Sequence, residues 1–152
     1  MIIFEYCLIN NLLFNVLSAK VSSDNLTILG NELKPTLIDV NGLSLTELLF
    51  FTELENIYAE GILDMKIPLT SEDSKLVVKG ATFKSQGAGV IKYNAGDLYK
   101  DKNIALKALE NFLYKQLDGT IDYDKEGNYK IKLHLLGANP KLYNGYPVDF
   151  TI

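Results

Sequence analysis

Two residues of this chain belong to types that often carry catalysis or bind metals, a single histidine and a single cysteine. His134 falls on the polar side of a predicted strand, among lysines. Local spacing gives it neither a carboxylate partner nor a second metal ligand, so we expect an ordinary surface histidine. Cys7 could act as a nucleophile only if the fold supplied a base. We expect it to be a small buried apolar group instead.

The stretch from Asp122 to Gly127 begins like a calcium-binding loop. Its first, third and fifth positions are acidic, and its sixth position is glycine. The twelfth position is Leu133, where such loops need a bidentate glutamate, and the residues after the glycine alternate like a strand. The sequence therefore predicts the tip of a β-hairpin at this place and no metal site.

Two further patterns resemble functional sites but lack essential parts. The segment from Gly87 to Gly89 has no Lys-Ser/Thr pair and precedes a strand, whereas a phosphate loop precedes a helix. Four glutamates could suggest paired-carboxylate chemistry, but they fall on the solvent side and the flanks of a predicted short helix. They are Glu47, Glu53, Glu55 and Glu60. With no predicted set of nucleophile, base and oxyanion donor, we expect no enzyme, no cofactor and no metal.

The composition limits the classes of partner. A chain of 152 residues can form one domain with its own core. Its 19 acidic residues outnumber its 15 basic residues, which argues against a nucleic-acid surface. Every basic residue is lysine, so the bidentate contacts that arginine makes with phosphates and carboxylates are missing.

The first seventeen residues are mostly apolar, with the sequence MIIFEYCLINNLLFNVL. Glu5 and three asparagines interrupt the run, no lysine precedes it, and no small-residue cleavage site follows it. We therefore expect neither a signal peptide nor a membrane anchor in this segment. Residues 1–15 are interpreted as an atypical N-terminal segment, followed by a single β-rich domain over residues 16–152.

Residues 58–94 organise the rest of the chain because they predict three extended arms. In the first arm every second side chain from Leu63 to Leu69 is apolar, as on a strand with one covered face. A turn at residues 71–74 returns the chain as a second strand, and the glycines at residues 87–89 bend it into a third. This pattern predicts an antiparallel meander whose apolar face needs either a helix or a ligand as its cover.

The remaining segments predict further strands and two helices. Residues 16–30 predict a hairpin around Ser22–Asn25, and the next strand ends at an Asn41-Gly42 turn. A capping box at Ser44–Glu47 begins a short helix. A second helix over 101–115 carries an apolar stripe and should lie on or near the apolar face of the sheet. Strands resume after it, which gives a mainly β fold with two helices, of the α+β class.

Several segments together resemble the C-terminal region of the YdbH-type, AsmA-like envelope proteins, also labelled a dicarboxylate transport family. They are GILDMKIPL at 61–69, KGA at 79–81, GAGVIKY at 87–93, ALENFLY at 108–114, LGANP at 136–140 and NGYPV at 144–148. The resemblance covers residues 16–152 in the same order. It implies a curled antiparallel sheet of the AsmA-like, β-taco kind.

The resemblance also implies a function, intermembrane phospholipid transport across the periplasm of Gram-negative bacteria. Members of that family are longer and anchored in the inner membrane, so this chain would be the C-terminal piece of such a protein. Phospholipid acyl chains would then contact the apolar sheet face at Leu63, Met65, Ile67, Leu69, Val90, Ile131, Leu133 and Leu135. For each of these residues, an ordinary core position under the second helix is the alternative. A protein-interaction or end-capping module without lipid, and a non-functional fragment of a split gene, are the alternatives for the chain.

Overall fold

The computed structural model describes residues 6–52, 54–94, 96 and 104–152, without the side chain of Phe150. Within these residues the strands are β1 Tyr6–Val16, β2 Ala19–Leu29, β3 Glu32–Leu33, β4 Thr36–Ser44, β5 Ile57–Glu60, β6 Ile62–Glu72, β7 Lys75–Ser85, β8 Gly89–Tyr93, β9 Phe112–Tyr123, β10 Tyr129–Ala138 and β11 Val148–Thr151. The helices are α1 Leu45–Thr52 and α2 Ile104–Leu109, and a 3-10 turn spans Tyr143–Gly145. Glu5, Glu53 and residues 101–103, all used in the predictions, lie outside the described residues.

The strands form one antiparallel sheet in the order β1-β2-β4-β6-β7-β9-β10-β11. Three short strands belong to the same sheet but lie off this path. Strand β3 pairs with β2, and β8 pairs with both β5 and β9. The predicted fold class, a mainly antiparallel sheet with two helices, is confirmed. Because β1 and β11 end the path, each is paired with only one neighbour along it.

The predicted meander is correct for its first two arms and wrong for the third. A two-residue turn at Asp73 and Ser74, both with positive φ, joins β6 to β7, as is usual in tight hairpins. The third arm, β8, pairs with β5 and β9 rather than with β7. At Gly89 a Cβ atom would lie 2.2 Å from the Glu60 carbonyl oxygen and 2.2 Å from the Tyr114 hydroxyl oxygen. Glycine is therefore needed there for close packing between strands.

The N-terminal strands also differ from the predicted ones. The polar segment Ser22–Asn25 lies inside β2, and the turn that joins β1 to β2 is at Leu17 and Ser18. Ser23 is buried, and its hydroxyl forms a 2.9 Å hydrogen bond with the hydroxyl of Thr36, which explains how a strand tolerates it. The predicted hairpin at 16–30 is thus wrong because the polar residues are satisfied within the sheet.

The predicted turn at Asn41-Gly42 is an irregularity within β4. The register between β4 and β6 shifts between Val40 and Leu43, as at a β-bulge, and Gly42 has a φ of +80°. The Gly42 N–H donates a 2.9 Å hydrogen bond to Oδ1 of Asp64. The strand therefore bends and continues, since a side chain on β6 replaces the missing backbone partner.

The short helix predicted at Ser44–Glu47 is present as α1, whereas α2 ends earlier than predicted. The Ser44 hydroxyl caps α1 by accepting from the Glu47 N–H at 3.3 Å, and the Glu47 carboxylate accepts from Ser18 instead of completing the capping box. Helix α2 ends at Leu109, and β9 begins at Phe112, so the predicted 101–115 helix is wrong at its C-terminal end. The apolar residues at the end of the predicted helix also fit a strand. From Phe112 onward they form β9, because they pair with β8 and β10.

Candidate functional site

One face of the sheet carries a continuous apolar row, because directly opposite residues of antiparallel strands project to the same face. The pairing register places seven residues of β1, β2, β4, β6, β7, β9 and β10 side by side. They are Phe14, Val21, Val40, Met65, Phe83, Gly119 and Leu133. Gly119 leaves room for a neighbour, since its Cβ would lie 2.5 Å from the Phe83 ring. We call this set the apolar row.

The next row, one residue along each strand, projects to the opposite face and is polar. Apart from the exposed Leu13 on β1, which pairs with Ser22, it consists of Ser22, Asp39, Lys66, Thr82, Thr120 and Lys132. Within it, Nζ of Lys66 lies 2.7 Å from Oδ1 of Asp39. An open depression of about 540 Å³ lies over these and neighbouring charged residues. This depression is lined by charged residues, including Asp39, Lys66 and Asp118, and also by Met65, Phe83 and Gly119 of the apolar row, so it borders residues of both rows. Successive side chains of a strand project to opposite faces, so the two rows belong to the two faces of one sheet.

The structure brings five of the eight predicted lipid contacts into or against the apolar core. Leu63 and Leu135 are buried in it, at 5% and 0% exposure. Met65, Ile67 and Leu133 are half-buried and pack against the core, and Ile121 joins them there. Leu69 is half-buried near the far end of β6, and Ile131 is 51% exposed. The predicted lipid contacts therefore range from fully buried to half exposed.

Val90 lies apart from the other predicted contacts. On β8 it pairs with Glu60 and Leu113, whereas its neighbour Ile91 pairs with Phe112 in the core. Successive side chains of a strand point to opposite faces, so Val90 projects away from the core. It lines a separate depression of about 530 Å³ with Leu113 and other residues of β9, β10 and the C-terminal loop.

His134 has two carboxylate partners that the local sequence did not reveal. Its Nδ1 lies 3.0 Å from Oδ1 of Asp118 on β9, and its Nε2 lies 2.7 Å from Oδ1 of Asp149 on β11. Hydrogen bonds to Asp118 and then to Asp149 raise the pKa of the imidazole. The hairpin tip, confirmed by the hydrogen bonds between Asp124 and Asn128, sets the register that pairs Asp118 with His134. Counting back from the predicted tip would have found the first partner.

The His134 link is expected to make the attachment of β11 depend on pH. Protonated imidazole donates to both carboxylates, whereas the neutral ring donates to only one. Because the folded pKa is raised, the stabilisation is complete below the unfolded pKa of about 6.5 and is lost as the pH rises through the folded value. The Ile152 N–H, which donates to the Leu133 carbonyl oxygen at 2.8 Å, should then exchange faster after correction for intrinsic rates.

A His134→Gln variant is the control for this pH effect, because glutamine can donate but does not titrate. Lys84 also faces Asp118, across the pairing of β7 with β9. We expect the exchange at Ile152 to lose its dependence on pH in the variant. An unchanged dependence in His134→Gln would assign the effect to another group.

Other candidate groups lie where they do not assemble a site. Cys7 is exposed, which corrects the expectation of a buried thiol, because the edge strand β1 has a neighbour on one side only. Among the described residues, no group of three or more histidine, cysteine or acidic side chains could hold a metal ion. In the same part of the chain, no helix has both the length and the apolar character needed to cross a bilayer.

Comparison with known proteins gives one match. A protein-family model described as YdbH-like, intermembrane phospholipid transport protein YdbH, matches residues 10–152. The match begins inside β1 and extends through β11, so it includes both the apolar row and the His134 link. No curated protein and no solved structure matches the chain.

Proposed function

This chain belongs to the YdbH-like family, and from that premise we propose that its apolar row carries phospholipid acyl chains between two membranes. The family is a lipid transport family and not a known enzyme family. The observation that supports the proposal is the register, which aligns apolar side chains across the strands from Phe14 to Leu133. An acyl chain lying across the strands would meet the exposed or half-buried members of this row, Phe14, Met65 and Leu133, above buried neighbours.

The exposure pattern suggests which residues take part. Phe14 at one end is 46% exposed, and Ile131 beside the other end is 51% exposed. Met65, Ile67, Leu69 and Leu133 are half-buried between them. We assign contact with acyl chains to these residues, while Leu63 and Leu135 support them from the core. Val90 would contact lipid only in its own depression.

A paired antiparallel sheet is a suitable surface for sliding lipid. Its backbone N–H and C=O groups bond to neighbouring strands, so an acyl chain meets no unsatisfied polar group. Each contact between apolar atoms is weak, and therefore no single position holds the lipid strongly. The polar row keeps the opposite face hydrated. A carrier between two membranes works in the cell envelope, so we place the chain in the periplasm.

Photochemical crosslinking tests the proposal. A photoreactive amino acid at position 65 in the apolar row should form adducts with phospholipid when the chain is purified from cells with an intact envelope. The same amino acid at position 82, one residue along β7 from Phe83 and on the polar row, should give few adducts. Native mass spectrometry of the unmodified chain should show bound phospholipid. Equal crosslinking at both positions, together with a lipid-free mass, would remove the support for conduction.

The alternative is an interaction or end-capping module without lipid. The burial of Leu63, Phe83 and Leu135 favours it, because a closed core leaves no path beneath the surface. Under this alternative the chain would be lipid-free, and position 65 would crosslink to protein. The same experiment therefore separates the two functions.

A further inference from the structure

Helix α1 has apolar side chains on its covered side and also on its uncovered side, although Thr46, Glu47 and Thr52 interrupt them. Leu45 is buried, and Leu48 and Leu49 pack against the core. Phe50 is 81% exposed and Phe51 is 68% exposed, with their rings 5.9 Å apart in an edge-to-face arrangement. A cluster of large apolar side chains exposed on a protein surface marks a contact site for a protein or a membrane.

Leu54, just beyond α1, extends this surface and is 56% exposed. We call Phe50, Phe51 and Leu54 the aromatic tip. On the paired strands β5 and β8, Nζ of Lys92 lies 5.5 Å from the centre of the Tyr58 ring. Tyrosine and lysine side chains with an apolar body and a polar end are typical of the level where a bilayer meets water.

The aromatic tip is at one end of the sheet. Helix α1 follows β4 and precedes β5, and its Leu45 N–H bonds to the Gly61 carbonyl oxygen beside the start of β6. The far end of β6 is a full strand of eleven residues away, at the hairpin tips, where Lys125 pairs with Asp73. The hairpin-tip end combines this ion pair with the separate exposed side chains of Leu76 and Tyr129, whereas the α1 end presents two phenylalanine rings in contact.

We propose that the aromatic tip inserts into the surface of a phospholipid bilayer and docks this end of the sheet on a membrane. The proposal rests on the proposed function only for the choice of phospholipid as the partner. Helix α1 has eight residues, so it lies within the interface and does not cross the bilayer. Glu47, Glu53 and Glu55 lie beside or within this segment in the sequence, so binding depends on apolar insertion and not on attraction to anionic lipid.

A tryptophan reporter tests the insertion directly, because the chain has no tryptophan of its own. Phe51→Trp should show a blue-shifted emission with phosphatidylcholine vesicles and quenching by brominated acyl chains. Tyr129→Trp, at the 74% exposed position near the opposite end, is the matched control and should show neither effect. Equal responses from the two reporters would overturn the proposal.

A loss-of-binding pair completes the test. The double variant Phe50→Ser and Phe51→Ser should lower the vesicle partition coefficient by about tenfold or more in flotation, and Tyr129→Ser should leave it unchanged. All these side chains are exposed, so the urea midpoint should stay near that of the parent chain. Vesicle binding unchanged in the double variant would overturn the proposal. Self-association that disappears in the double variant, with no vesicle binding by the parent, would assign the tip to a protein contact instead.

The outcomes also separate docking from lipid conduction. The double variant should keep its bound phospholipid in native mass spectrometry, because the apolar row is untouched. A parent chain that floats with vesicles but never carries lipid would contradict only the proposed function. A chain that carries lipid, but whose Phe51→Trp variant shows no change in fluorescence with vesicles, would contradict only the docking site.

Discussion

Replacing Phe112 by alanine is expected to lower the free energy of unfolding by about 3–5 kcal/mol. Phe112 has 0% exposure and lies in the core where β8 and β9 pair, close to Gly137, whose Cβ would lie 2.9 Å from its ring. Removing the ring loses apolar burial and leaves a cavity that this packed region cannot fill by small shifts. Urea unfolding monitored by circular dichroism measures the change.

Leu113 provides the matched control, since it is the next residue on β9 and is 43% exposed. Leu113→Ala should cost much less, within about 1 kcal/mol, because little buried area is lost. If the two variants were equally stable, Phe112 would not be a core residue. That result would also place β9 in a different register against β8.

Replacing Met65 by lysine is expected to reduce bound phospholipid at least about tenfold, the largest functional effect that the apolar row predicts. Met65 is half-buried between Val40 and Phe83, so an ammonium group there would have to be desolvated beside an acyl chain. In the lipid-free chain the lysine stem can reach water, which should preserve the fold. Lipid extraction followed by mass spectrometry gives the lipid content per protein.

The control for this charge is Thr82→Lys, which places the same group on the polar row, opposite Lys66. Its lipid content should match that of the parent chain. Comparable losses in the two variants would show that added charge acts on lipid content through something other than the apolar row. Lipid retained in Met65→Lys would contradict conduction along this row.

Several elements could be predicted from the sequence because their signals are local. The alternation from Leu63 to Leu69 identified β6, and turn residues identified the tips at Asp73–Ser74 and Asp124–Asn128. These patterns depend on the period of a strand and on residues that favour tight turns. The family also came from short segments in the correct order, which the model matching residues 10–152 confirms.

Other elements escaped prediction because distant partners decided them. Residues 112–115 carry a stripe that fits a helix, yet they pair with β8 and β10. Ser22–Asn25 have the composition of a turn, but Ser23 is satisfied by Thr36 within the sheet. The second hydrogen-bond partner of His134 is Asp149 on the terminal strand β11, and no local pattern defines the register of that strand.

The sequence by itself determined that this chain would be a mainly antiparallel sheet with one apolar side, few reactive groups and a resemblance to lipid carriers. Only the tertiary structure decided which apolar residues lie side by side in the apolar row and that Val90 lies apart from the other predicted lipid contacts. It also decided that the side chains of Phe50 and Phe51 on α1 are exposed. The physical reason is range. A side-chain period is set by the backbone within a few residues, whereas register and exposure depend on contacts between segments far apart in the chain.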